Sequence, residues 1–87
     1  MHAVIVRVTL NDVEAATSAL HERVVPEVSQ APGFVTGHWT RKDNSGLSMV
    51  VFESEEAANS ASERVKSTVP DPVTLESVEV REVVAHA

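Results

Sequence analysis

The chemistry open to this chain starts from four histidines and seven basic side chains, because it holds no cysteine. Disulfides, Fe–S clusters, thiolate zinc sites and a cysteine nucleophile are therefore excluded. His38 is the histidine best placed to act, since an imidazole exchanges protons near neutral pH and can serve as a general base. It lies in the run Phe34 to Arg41, whose alternation sets Phe34, Thr36, His38 and Thr40 against Val35, Gly37, Trp39 and Arg41. Pairing Trp39 with Met49 in the following strand adds Ser48, Val50 and Phe52 to the face of His38. The expected site then has His38 as its catalytic group, Thr36, Thr40 and Ser48 as hydrogen-bonding groups, and Phe34 and Phe52 as apolar walls. A lining that is mostly apolar with a few placed polar groups suits a small ligand held between sheet and helices. The competing reading is a partly solvated edge-strand histidine with no chemical task. A one-residue slip in pairing would also invert the grouping.

On the other face Arg7 and Arg41 need partners, because a charge removed from water must be offset. Glu76, Glu79 or Glu82 of a second subunit would meet that need, as would a bound anion. Trp39 and Met49, on the same face, are expected to pack at an interface. His2 and His86 fall near neighbouring strand ends, but two imidazoles are fewer ligands than a usual zinc site takes, and no metal is expected. His21, beside the apolar stripe of the first helix, is expected on the surface. The chain carries no Gly-rich phosphate loop, no His-Glu-x-x-His and no Gly-x-Ser-x-Gly.

The elements that must position these residues follow from periodicity. Ala3 to Leu10 is a β-branched run with apolar residues on both faces, so the second face is expected to meet something other than water. Asn11 and Glu14 predict a helix start, and Val13, Ala16, Thr17, Leu20, Val24 and Val28 form one stripe. Pro26 is expected to distort or tighten the last turn. Ala31-Pro32-Gly33 redirects the chain, and Lys42 to Gly46 reads as a five-residue hairpin loop before a strand from Leu47 to Phe52. Ser54 starts a second helix with a stripe of Ala57, Ala58, Ala61 and Val65, ending near Ser67. Pro70-Asp71-Pro72 bars continuation, and Val73 to Ala85 reads as a last strand. At full extension it would span roughly 43 Å against roughly 26 Å for the first strand, an excess that could reach another subunit. Short connections and right-handed crossovers predict a single α+β domain, residues 1–87, with a ferredoxin-like β-α-β-β-α-β order. Its four-stranded antiparallel sheet carries both helices on one face.

Ala31-Pro32-Gly33-Phe34-Val35-Thr36-Gly37-His38-Trp39, followed after the turn by Val50-Val51-Phe52-Glu53-Ser54-Glu55-Glu56-Ala57-Ala58, resembles the antibiotic biosynthesis monooxygenase-like family of dimeric α+β barrels. With length and element order, the likeness covers nearly the whole chain. It implies a homodimer in which two sheets face each other as a barrel. Such families include cofactor-free quinone-forming monooxygenases, haem-degrading enzymes and proteins with no assigned activity. Phe52 stands where a tryptophan is common, Ala61 near a frequent histidine, and Val6 or Arg7 where haem degraders carry asparagine. Haem degradation is thereby disfavoured. The resemblance implies oxygenation of a small aromatic or quinol-type compound without a cofactor, with His38 orienting or deprotonating a phenol. The alternative is a non-catalytic dimer that binds a metabolite or another protein.

Composition bounds the partners. Thirteen acidic against seven basic residues give a net charge of −6, the wrong sign for a nucleic-acid backbone. Apolar runs such as Ala3 to Val6 fall far short of the ~20 residues that span a bilayer. The N-terminus lacks the pattern of a signal peptide, so a cytoplasmic protein is expected. A chain this short buries only roughly 60% of the surface it exposes when unfolded, so a homodimer would add the missing burial.

Overall fold

A computed structural model describes residues 1–87. Strands β1 (His2–Leu10), β2 (Phe34–Lys42), β3 (Ser45–Phe52) and β4 (Val73–Glu82) form one antiparallel sheet in the order β2-β3-β1-β4. Between β1 and β2 the chain runs through α1 (Val13–Ala19), a π-helical turn (Leu20–Val24) and α2 (Val25–Ser29), while α3 (Glu55–Ser67) joins β3 to β4. No helix is long and apolar enough to cross a membrane.

β1 takes a central place because its side chains are apolar on both faces: Ala3, Val4, Ile5 and Val6 are all buried. The core lies on the helix side, where Val4, Val6, Val50 and Phe52 meet Ala58, with Phe52 and Ala58 at 1% and 0% exposure. Burying Phe52 contributes about 1.5–3 kcal/mol, and only a side chain as small as Ala58 lets α3 come close enough to cover it. Ser54 caps α3 by accepting from the Ala57 N–H at 3.1 Å. Glu55 and Glu56 in its first turn and Arg64 and Lys66 in its last suit the helix dipole.

The first helix begins one residue later than expected. Asp12, not Asn11, is the cap, its carboxylate accepting from the Ala15 N–H at 3.1 Å. Asn11 instead donates to Thr74 Oγ1 at 2.9 Å and ties the loop to β4. Pro26 distorts the helix, as expected, and does so by widening it rather than by tightening it. In an α-turn its ring would collide with the Glu22 carbonyl. The preceding backbone opens to wider spacing, with the Val25 N–H donating to the Leu20 carbonyl.

The β2–β3 hairpin departs from expectation in a way that matters for the site. A two-residue turn, Asp43-Asn44, replaces the five-residue loop, so Lys42 pairs with Ser45. Asp43 takes φ 52°, a left-handed conformation that aspartate tolerates, and Arg41 Nη1 donates to its carbonyl at 2.9 Å. His38 therefore lies opposite Met49, and Trp39 opposite Ser48. A bulge adds Val35 between the pairs Phe34–Phe52 and Thr36–Val51. It parts Phe34 from the face that Thr36 occupies. β4 ends at Glu82 rather than Ala85, and beyond it the Val83 N–H donates to the Met1 carbonyl at 3.0 Å.

Gly33 joins the two helical halves of the fold. It takes φ +79°, and a Cβ there would meet the Ala57 Cβ at 2.9 Å. Gly33→Ala is expected to lower stability by about 1–3 kcal/mol through left-handed strain and this contact. A urea midpoint equal to that of the parent protein would refute the account.

Candidate functional site

The site expected from the sequence separates into two groups. Phe34, Ser48 and Phe52 belong to the helix side of the sheet by register, whereas Thr36, His38 and Thr40 belong to the helix-free side and are exposed. The physical reason is the short turn together with the Val35 bulge, because strand faces alternate with period two and an odd shift exchanges them. Trp39 and Arg41 make the opposite exchange and join the helix side. They therefore leave the face that Arg7 and Met49 occupy.

His38 borders a shallow depression of about 430 Å³ with Ile5, Arg7, Met49, Glu79 and Arg81. Within it Arg81 Nη2 pairs with Glu79 Oε1 at 2.9 Å. The Thr40 hydroxyl donates to the Leu47 carbonyl at 2.6 Å. At the other end of β1, His2 Nε2 lies 3.6 Å from Glu55 Oε2, while its Nδ1 is buried without a partner. His86 stands in the exposed tail beyond β4.

A larger space of about 930 Å³ lies between the sheet and the helices. Its floor is Val4, Val6, Val50 and Phe52, and Phe34 supports Phe52 edge-on at 6.3 Å and 79°. Its roof is built from Ala16, Leu20, Val24 and Val28 of the first helical run and Ala61 and Val65 of α3. The space exists because the two helical layers sit differently. Small residues draw α3 down onto the sheet, whereas the first run meets the central apolar cluster through Val28. Trp39 forms one wall, and Gly37 is what allows it: a Cβ at Gly37 would stand 2.9 Å from the indole ring.

Polar side chains gather at the edges of this cleft. His21, Arg23 and Glu27 come from the first helical run, Arg41 from β2, Arg64 from α3 and Asp71 from the α3–β4 connection. His21 is exposed, as expected, yet it also borders the cleft. Its spacing of four from Thr17 and three from Val24 places it on the margin of the apolar stripe, and that was the available signal. The arginines carried no such signal, since they meet only across separate elements. The arrangement can hold an apolar body against valines, Phe52 and Trp39, with exposed donors along its border available to a polar group. No group of three or more His, Cys, Asp or Glu side chains assembles in a way that could hold a metal ion.

The hairpin register can be checked chemically because the native chain has no cysteine. His38→Cys with Met49→Cys should close an intrachain disulfide on mild oxidation, while Trp39→Cys with Met49→Cys should not. The reverse pattern, read by mass spectrometry, would restore the pairing expected from sequence.

Comparison with known proteins gives no matching family model and no matching curated protein.

Proposed function

We propose that the protein is a small-molecule-binding subunit of a homodimeric, ferredoxin-like α+β barrel, and that its ligand is a small aromatic compound held between sheet and helices. The observation that carries this reading is the apolar cleft of about 930 Å³ with Trp39 and Phe52 in its walls. Its size falls within the range of roughly 300–1,000 Å³ usual for small-ligand sites. The strand order β2-β3-β1-β4, with helical connections after β1 and β3, supports the ferredoxin-like reading.

Burial supports the dimer. Only 11 of 87 residues are buried, and on the helix-free face Leu47 and Met49 remain 40% and 49% exposed beside buried Ile5. A second copy on that face would cover them, and Arg7 and His38 would then lie between the sheets. Met49→Arg would bury a further positive charge beside Arg7 there and is expected to give a monomer of lowered stability. A variant that sediments as the same dimer would remove this face as the interface, and a native monomer at high concentration would end the dimer proposal.

A second reading, cofactor-independent oxygenation, draws on the presence of His21 at the cleft. A phenol can react with dioxygen to give a quinone and water, the ring supplying all four electrons. One oxygen atom enters the ring, and the other leaves as water with the phenolic and ring hydrogens. His21 replaces His38 as the proton acceptor in this reading, because His38 and the Phe52 wall belong to opposite faces of the sheet. The binding reading predicts that 1-naphthol changes Trp39 fluorescence saturably. Oxygen consumption with a hydroquinone or naphthol panel, lost in His21→Ala and kept in His38→Ala, would establish the second reading. Binding without oxygen consumption would leave the first alone.

A further inference from the structure

Resting on the cleft as the ligand site, we infer that its ligand is an anion: an aromatic carboxylate or sulfonate whose ring lies against Trp39 and whose charged group meets arginines at the cleft border. Charge distribution is the first observation. The chain has 13 acidic and seven basic residues, yet the cleft is bordered by three arginines, Arg23, Arg41 and Arg64, and by two acids, Glu27 and Asp71. The local balance is thus +3 − 2 = +1 on a protein whose formal charge is −6, with histidine counted neutral in both sums. The average draw of five charges from this composition would be net negative.

Pairing is the second observation. None of these arginines forms an ion pair within the chain, a state they share with Arg7 and Lys42, whereas Arg81 pairs with Glu79 and Lys66 with Glu63. Arg41 donates once, to the Asp43 carbonyl, and a guanidinium has further N–H groups to offer. The three side chains come from the π-helical turn, β2 and α3, so tertiary placement alone brings them to the border of one cleft. A guanidinium matches the paired oxygens of a carboxylate or sulfonate, and an apolar neighbourhood strengthens that contact over its value in water. A neutral aromatic would use the walls and leave the arginines unused.

A matched pair of dyes tests this, because 8-anilinonaphthalene-1-sulfonate and N-phenyl-1-naphthylamine share their aromatic body and differ by the sulfonate. Trp39 is the only tryptophan, so energy transfer from it reports binding near the cleft. The sulfonate is expected to bind about tenfold tighter than the neutral amine, with an affinity that falls as salt is added. Arg41→Gln with Arg64→Gln should weaken the sulfonate about tenfold and leave the amine within about twofold. Arg41→Lys with Arg64→Lys should recover part of the loss, and circular dichroism checks that each variant is folded. Arg81→Gln, outside the cleft, should change neither dye, whereas Thr17→Phe, in the cleft wall, should weaken both. Equal binding of the two dyes, indifferent to the arginine variants, would overturn the anion and leave the cleft as a ligand site. Absence of transfer to either dye, or transfer unaffected by Thr17→Phe, would overturn both.

Discussion

The close seat of α3 on the sheet is the contact on which the rest of the molecule depends. Ala58 is fully buried against a cluster that contains Phe52, Val4 and Val50, and Gly33 reaches Ala57 so closely that no side chain fits between them. A larger group at either position would lift the helix, and the few buried residues leave little else to hold it. This one contact also orients the loop into β2, because the Glu53 N–H donates to the Gly33 carbonyl at 2.8 Å.

What is tight on one side leaves room on the other. The first helical run presents Leu20, Val24 and Val28 where α3 presents alanines, and Pro26 forces its middle into a wider turn. The run therefore roofs the sheet instead of sealing to it, and the cleft is the space that remains. A helix interrupted by π spacing often accompanies a functional site, and here its residues border the same space. The sheet thus differs by face: an apolar cleft toward the helices, and Met49, His38 and Arg7 on the uncovered side.

Much of the architecture was legible in local pattern. Ser54 as a cap, the stop near Ser67, the break at Pro70-Asp71-Pro72 and the alanine stripe all follow from residue chemistry within a few positions, and the structure has each of them. So does the two-sided apolar character of β1 that places it inside the sheet. The site was less legible. Phe52, Ser48 and Thr40 border the cleft as expected, whereas His38 and Thr36 are on the far face. Their separation rests on whether Lys42 and Ser45 pair or lie in a loop, and on one inserted residue at Val35.

The sequence by itself determined the kind and order of the elements, because caps, turn formers and apolar periodicity act over a few residues of chain. Only the tertiary structure decided which face each β2 side chain occupies and which arginines border the cleft. Register has a period of two, so a single extra residue exchanges every side chain beyond it, and its choice lies in pairing with a distant partner rather than in the strand itself. The cleft follows the same logic, since its volume is the difference between how closely two helical layers approach one sheet.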